Sequence, residues 1–188
     1  MTALFIDPVA PDAARDAGLS VRMQSLALAG DDEGTFLRVL AHVPQYAEAL
    51  WDALSEALMK GGVDHTLKEL IRIKLARTAG DPYFSRIRSR KALRAGMTED
   101  DVDAACGDFE QDPRFDDAEK WALRYAHLMY RHPDQVNAAF YDEGKRHFTE
   151  AQIMELGGLI AIHYGMQMFM RSLHPPSDAS TDGTLTST

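Results

Sequence analysis

Apolar residues recur every three or four positions along most of the chain, which is the period of an amphipathic helix. Two stripes in the first third of the chain predict two helices, separated at Pro44 and ended by Gly61 and Gly62. Asp64 is a natural N-cap for a third helix, which stops at Gly80. The apolar positions of these helices are Leu37, Leu40 and Ala41, then Ala47, Leu50, Leu54, Ala57 and Leu58, then Leu67, Leu70, Ile71 and Leu75.

The segment after the third helix predicts a fourth helix over residues 82–96. Asp81 is its N-cap, Pro82 suits the first helical position because its missing N–H has no acceptor there, and Gly96 ends it. This helix would carry a basic stripe at i, i+4 and i+8, which is typical of ion pairing with solvent-exposed or intersubunit carboxylates. The members of the stripe are Arg86, Arg90 and Arg94.

Further caps predict the helices of the second half. Thr98 begins a short acidic helix through Cys106, a strongly amphipathic helix follows the next loop, and a short helix covers residues 134–148. Thr149 caps the last helix, which is apolar on nearly every side over residues 156–170 and is therefore expected in the core, in a subunit interface, or in both. No segment alternates apolar and polar residues as a strand does, so the predicted fold class is all-α.

One helical domain is predicted over residues 31–174. We interpret residues 1–30 as an N-terminal arm followed by a short helix, and residues 175–188 as a disordered tail with nothing to bury. With 188 residues, 45% hydrophobic and 26% charged, the chain is long enough for one globular core.

Composition excludes several kinds of partner. The formal net charge of −9 argues against nucleic acid, because phosphate recognition needs a basic surface. The longest apolar run contains His163 and Gln167 and is too short and too polar for a membrane, and the absence of a visible signal makes the cytoplasm the expected location. The single cysteine, Cys106, excludes an internal disulfide, and the histidines lack metal-ligand spacing, so we expect no metal and no cofactor.

The order of several segments between Phe36 and about Arg171 resembles the carboxymuconolactone decarboxylase and alkylhydroperoxidase D-like family. The matching pieces are FLRVLAHVPQYAEAL, KELIRIKLARTAG, ALRAGMTEDDV, FDDAEKWALRYAHLM and FTEAQIMELGGLIAIHYGMQMFMRSL. The resemblance implies an alkylhydroperoxidase D-like helical bundle built from helical hairpins, which usually forms dimers, trimers or hexamers. The apolar last helix supports such a homo-oligomer independently, because one small domain cannot easily cover it.

The peroxidase branch of that family has a CxxCxxxH motif after the third helix and a proton-relay glutamate on it. The glutamate position is Glu69 here, but Asp81 and Phe84 stand in place of the two cysteines. Tyr83 stands in place of the histidine between the cysteines, and Arg88 stands in place of the histidine after them. A thiolate is the nucleophile in that chemistry, so the resemblance implies no thiol peroxidase here. The lactone decarboxylase branch has a histidine where Arg88 stands. Arginine can bind a carboxylate or an enolate there, but it is no base at neutral pH.

Each candidate residue also has a structural interpretation. The Glu69 carboxylate is either buried among small and apolar residues, where it could act as an acid or base, or exposed and paired with Arg72. Tyr83 either donates to a substrate oxygen or only packs its ring. His163 is either a base in a pocket or a core histidine with a hydrogen-bond partner.

Two functions therefore stay open. The first is a cofactor-free decarboxylase, lyase or isomerase for a small carboxylic acid or lactone of the aromatic-catabolism type; such an enzyme would be a cofactor-independent carbon–carbon lyase. Arg88 would hold the anion, Glu69 would move a proton and Tyr83 would stabilise an oxyanion. Further substrate contacts are expected from Asp81, Phe84 and His163. The second function is a catalytically silent, oligomeric binding or scaffold member of the same family.

Overall fold

The computed structural model describes residues 4–16, 19, 28–30 and 34–174, and these residues are mainly helical. The predicted all-α fold class is confirmed. The helices are α1 (Pro11–Asp16), α2 (Thr35–Leu40), α3 (Pro44–Met59), α4 (His65–Ala79), α5 (Arg90–Arg94), α6 (Glu99–Cys106), α7 (Asp117–Arg131), α8 (Ala138–Gly144) and α9 (Glu150–Ser172), with a 3-10 turn at Pro133–Gln135. The predicted short helix before residue 31 and the predicted disordered tail lie almost entirely outside the described residues.

Most helix ends follow the capping chemistry that the sequence predicts. The Asp64 side chain accepts two backbone N–H groups of the first turn of α4, at 2.8 and 3.0 Å. Gly80 ends α4 in the left-handed conformation, with φ of 65°, which glycine adopts without steric cost. Thr98 and Thr149 each form a capping box at the start of α6 and α9.

The prediction of one helix over residues 82–96 is wrong. Residues 82–86 form consecutive turns, β2 (Arg88–Ser89) pairs antiparallel with β1 (Leu28–Ala29), and only α5 is helical. The physical reason is tertiary: the carbonyls of Phe84 and Ile87 accept hydrogen bonds from the Arg72 guanidinium of α4, at 3.2 and 2.7 Å. The predicted basic stripe does not form either, because Arg86 precedes the extended segment and the other two arginines follow it.

The core lies between α4 and α9, with α3, α6 and α7 packed around them. The predicted inward residues of α4 are all buried, and α9 adds Leu156, Leu159 and Ile160. At the other end of the domain, Trp121 of α7 stacks on Phe140 of α8 at 4.8 Å and donates its indole N–H to the Phe140 carbonyl at 3.0 Å.

A buried lysine joins three helices near the start of α4. Lys68 Nζ donates to the Ala57 carbonyl at 3.1 Å and to Glu155 of α9 at 2.8 Å. Glu155 also accepts the N–H of Gly62 at 2.8 Å. This network therefore holds the end of α3 and the start of α4 against α9.

Among the described helices, including the 23-residue α9, none has the length and hydropathy needed to cross a bilayer.

Substituting Gly144→Ala should destabilise the fold, because a Cβ at this position would overlap the Trp121 ring. We expect a loss of about 1–3 kcal/mol in the free energy of unfolding, measured by urea titration. Gly62→Ala is the matched control, since its Cβ would lie 3.7 Å from Gln152 in ordinary contact. Equal stability of the two variants would contradict this packing.

Candidate functional site

Glu69 and Arg72 form a buried ion pair on the face of α4 that meets the turn at residues 81–89. The pair is bidentate: Arg72 Nε lies 2.7 Å from Glu69 Oε2, and Arg72 Nη2 lies 2.7 Å from Oε1. Glu69 is 0% exposed and Arg72 is 1% exposed. Each of the two interpretations of Glu69 therefore holds in part, because its carboxylate is buried and is also paired with Arg72.

The same pair fixes the backbone of the turn. Glu69 Oε1 accepts the N–H of Ser89 at 2.6 Å, while the Arg72 guanidinium donates to the carbonyls of Phe84 and Ile87. Buried charges need such additional hydrogen bonds, because desolvation otherwise exceeds the Coulombic gain. Glu69 and Arg72 thus act together as the attachment of the turn to α4.

Arg88 lies on the outer side of the turn, in a different ion pair. Its Nε and Nη2 donate to the two carboxylate oxygens of Glu99, both at 2.8 Å, and its Nη1 donates to the carbonyls of Ser85 and Ile87 at 2.6 and 2.9 Å. The structure therefore places Arg88 and Glu69 in separate ion pairs, and the anion-binding role predicted for Arg88 would require Glu99 to be displaced.

The aromatic residues of the turn pack inward. Tyr83 is 3% exposed, and its hydroxyl accepts the backbone N–H of Phe36 at 3.1 Å. Phe84 packs edge-to-face against both Tyr83 and Phe36, with ring centroids 4.8 and 4.9 Å apart. These contacts fix the start of α2 on the turn, and they leave the Tyr83 ring as a wall for any adjacent ligand.

Asp81 is a fully buried carboxyl group at the start of the turn. Its Oδ1 accepts the N–H of Tyr83 at 2.8 Å, whereas its Oδ2 has no hydrogen-bond partner among the described residues. Burial raises the pKa of Asp81 from the ordinary 3.8 to about 6, against the opposing effects of backbone hydrogen bonds and of Arg171 and Arg72. The carboxyl group thus changes its protonation state close to neutral pH.

His163 and Gln167 line the other side of Arg72, one turn apart on α9. Burial, together with the charge of Arg72, lowers the pKa of His163 to about 3, and its ring hydrogen bonds the Leu54 backbone. Gln167 Nε2 donates to the Arg72 carbonyl at 2.9 Å. Neutral His163 is therefore placed in the core, with Nε2 unpartnered among the described residues.

A cavity of about 210 Å³ lies on the outer side of Tyr83. Its walls come from the turn, from the N-terminal arm and from the end of α9, and its lining residues are Leu4, Thr35, Pro82, Tyr83, Arg86, Met170 and His174. The Arg86 guanidinium lies 5.7 Å from the Tyr83 ring centroid. Burial, with the charges of Arg171 and Arg86, lowers the pKa of His174.

The sequence places the candidate site on the turn at residues 81–89, and several residues that hold this turn or line its cavity were not among the predicted site residues. Ser89, Gln167, Arg86 and His174 all contribute, and a sequence signal existed only for Gln167, which is polar and one turn from His163 in an apolar helix. In the described residues there is no group of three or more His, Cys, Asp or Glu side chains that could hold a metal ion.

Solved structures with this arrangement of helices define a class of all-helical proteins. The debrominase Bmp8, crystallised as a single-residue variant in complex with 2,3,4-tribromopyrrole, is 20% identical, with a TM-score of 0.71 over 93% of this chain and 92% of that chain. A peroxidase-related protein from Silicibacter sp. TM1040 is 12% identical, with a TM-score of 0.69 over 95% and 93% of the two chains. An AhpD-core protein from Ralstonia eutropha JMP134 is 16% identical, with a TM-score of 0.60 over 77% of each chain.

The sequence of the central helices is similar to a known family. Residues 44–128 match the model of the Carboxymuconolactone decarboxylase family, and this region contains α3, α4, the turn and α7 up to Leu128. The central part of the chain is thus similar to that family, and the neighbouring structures share its all-helical fold. None of the curated proteins shows significant similarity to the full sequence.

Substituting Glu69→Gln should strongly destabilise the fold, because it leaves the buried Arg72 guanidinium without a charge partner. We expect a loss of about 3 kcal/mol or more in the free energy of unfolding, measured by guanidinium titration. Glu99→Gln breaks a bidentate pair of the same kind, but the Glu99 side chain is 61% exposed, so its loss should be about 0–1 kcal/mol. Similar losses in both variants would contradict the structural role of Glu69.

Asp81 should make stability depend on pH. Its folded pKa of about 6 exceeds the ordinary 3.8, so the folded state binds more protons between these values. The stability that protonated Asp81 contributes is fully present below about pH 4 and is lost as the pH rises through about 6. The unfolding free energy of Asp81→Asn relative to wild type should therefore rise across this window in urea titrations, and a constant difference would contradict the assignment.

Proposed function

We propose that the protein is a cofactor-free lyase or isomerase, of the decarboxylase type, that acts on a small carboxylic acid or lactone. The proposal rests on one observation: the turn at residues 81–89 bounds a small cavity whose walls include an arginine and a histidine. The reacting groups would then be Arg86 and His174, on the outer side of the turn, whereas Glu69 and Arg72 hold the turn in place from inside.

The cavity has the composition expected for a small organic anion. Leu4, Pro82 and Met170 provide apolar walls, and the Tyr83 ring provides a flat surface for a ring or a conjugated chain. Arg86 can bind a carboxylate through two parallel hydrogen bonds, and its charge persists at every physiological pH. A volume of about 210 Å³ limits the ligand to a small molecule.

His174 is suited to proton transfer at this cavity. Because burial and two nearby arginines lower its pKa, the imidazole is neutral at pH 7 and can accept a proton. In an isomerisation it would take a proton from the carbon next to a carbonyl and return it to another carbon. In a decarboxylation the electron pair of the broken C–C bond stays on the substrate carbon and CO₂ leaves. A proton from solvent water, passed on by the imidazole, then takes the place of the carboxylate on that carbon. Neither reaction consumes an oxidant or a reductant.

The structural neighbours support a small planar ligand. A protein with the same fold was crystallised with 2,3,4-tribromopyrrole, which is a small ring molecule. This chain has no cysteine in the turn, since Cys106 is its single cysteine and lies at the end of α6. Acid–base chemistry without a thiol therefore fits the residues of the turn better than peroxidase chemistry does.

A non-catalytic binding role is the second candidate. It is favoured because two of the predicted catalytic side chains are already held in ion pairs within the chain. Glu69 is ion-paired with Arg72, and Arg88 is ion-paired with Glu99. In that case the cavity would bind the same class of small anion without turnover.

Arg86→Ala should weaken binding of a substrate carboxylate at least about tenfold, because a charged hydrogen bond is worth about 1.5–3 kcal/mol. We would incubate the protein with five- and six-membered-ring carboxylic acids and lactones, and follow binding and turnover by proton NMR in D₂O. Arg86→Lys should restore part of the affinity. His174→Gln should lower kcat with a smaller effect on KM, since it removes the proton acceptor but keeps much of the shape.

Arg94→Ala is the control. Arg94 is exposed on α5 and does not line the cavity, and the substitution removes the same charge as Arg86→Ala does. Binding that survives Arg86→Ala would contradict this cavity as the site. Binding without turnover in wild type would establish the non-catalytic role instead.

A further inference from the structure

A second cavity lies between the last two turns of α4 and the end of α6. It has a volume of about 440 Å³ and shares no lining residue with the cavity beside Tyr83. The residues that line it are Lys74, Arg77, Thr78, Asp103, Cys106 and Gly107. Arg77, Asp103 and Gly107 are exposed, so the cavity is open to solvent. It therefore brings an amine, a guanidinium and a thiol together, and the function proposed above uses none of them.

Lys74 is a buried lysine without a counter-charge. It is 6% exposed, and its Nζ donates to the carbonyl of Ala105 at 2.8 Å and lies 4.3 Å from the centroid of the Phe109 ring. No carboxylate among the described residues forms an ion pair with it. Neither a carbonyl nor an aromatic ring supplies the full negative charge that offsets the burial of an ammonium group, so burial here favours the neutral amine.

A second buried lysine of α4 shows what a structural ammonium group has and Lys74 lacks. Lys68 donates to the carbonyls of Ala57 and Lys60 and forms an ion pair with Glu155 at 2.8 Å. The carboxylate whose charge acts on Lys74 is that of Glu110, and it is already held by Arg124 in a bidentate pair at 2.6 and 3.0 Å. The two lysines are therefore alike in burial and differ in counter-charge.

Burial has opposite effects on the two nucleophiles of this cavity. It lowers the pKa of Lys74, against smaller opposing effects of Cys106 and Glu110. It raises the pKa of the Cys106 thiol, against opposing effects of Arg77 and Lys74. An amine is nucleophilic when it is deprotonated and neutral, whereas a thiol is nucleophilic as the charged thiolate. Burial therefore activates Lys74 and suppresses the reactivity of Cys106.

Arg77 can hold a carboxylate beside this amine. It lies three residues after Lys74, on the same face of α4. Its Nη1 donates to Asp103 at 2.8 Å, but the two side chains are 35% and 68% exposed. An ion pair this exposed is worth little, so the carboxylate of a ligand can compete with Asp103 for the guanidinium. A ligand that carries both a carbonyl group and a carboxylate fits this pair of residues.

We propose that Lys74 forms a reversible imine with a small aldehyde or ketone that carries a carboxylate, such as a 2-oxo acid, and that Arg77 binds the carboxylate. The neutral amine adds to the carbonyl carbon, and a proton moves from nitrogen to oxygen to give a carbinolamine. The hydroxyl group then takes a proton from solvent and leaves as water, while the nitrogen lone pair forms the C=N bond and the nitrogen returns a proton to solvent. The net reaction joins one amine and one carbonyl group and releases one water, with no oxidant or reductant.

The test is to trap the imine on the full chain with glyoxylate, an aldehyde that carries a carboxylate. Sodium borohydride reduces the imine to a stable amine, and mass spectrometry of the digested protein identifies the labelled lysines. At pH 7 the labelling of Lys74 should exceed that of the exposed Lys91 at least about tenfold. Lys68 is the matched control in the same molecule, because it is buried on the same helix with a counter-charge, and it should stay unlabelled.

The role of Arg77 is tested with a second probe. Arg77→Gln should raise the glyoxylate concentration that labels half of Lys74 at least about tenfold, and it should leave labelling by acetaldehyde, which has no carboxylate, unchanged. Asp103→Asn should lower that glyoxylate concentration, because Arg77 then has no competing carboxylate. Arg94→Gln removes the same charge at an exposed position outside this cavity and should change neither label. Circular dichroism of the variants checks that the helices remain folded.

Glyoxylate labelling of Lys74 that does not exceed that of Lys91, or that only equals that of Lys68, would overturn the proposal. Equal effects of Arg77→Gln on the two probes would overturn the assignment of the carboxylate to Arg77. The labelled lysines are identified on the unsubstituted chain, so this result needs no variant to fold. None of these outcomes depends on the function proposed for the cavity beside Tyr83.

Discussion

The bidentate pair between Glu69 and Arg72 is the contact on which the rest of the site depends. Its two charged side chains are removed from water, and this burial costs free energy unless further hydrogen bonds offset it. Backbone groups of the turn supply those hydrogen bonds. Those partners are the carbonyls of Phe84 and Ile87 and the N–H of Ser89. The pair therefore decides the path of the turn, and the turn decides where the cavity forms.

This arrangement separates the charges that hold the turn from those that line the cavity. The residues that a family comparison would assign to catalysis, Glu69 and Arg88, are both held in ion pairs. The residues that face the cavity, Arg86 and His174, come from the tip of the turn and from the end of α9. Asp81 is buried at the start of the turn, and its raised pKa of about 6 makes the stability of the turn depend on pH.

The last helix serves two surfaces at once. Its inner face contributes His163 and Gln167 behind Arg72 and the apolar residues of the core. Its outer face exposes apolar side chains, among them Met154, Met168 and Phe169. The low amphipathicity that marks this helix in the sequence therefore comes from apolar residues on both of its faces.

Local sequence determined most helix ends, because a capping side chain acts on N–H groups two or three residues away. Asp64 and Thr149 begin helices for this reason, and Gly80 ends one because of its positive φ. Only the tertiary structure decided the conformation of residues 82–96, because the Arg72 guanidinium donates hydrogen bonds to carbonyls that would otherwise accept the N–H groups of a helix. It also decided the candidate site, because Arg86 and His174 meet only after the turn and α9 have packed together.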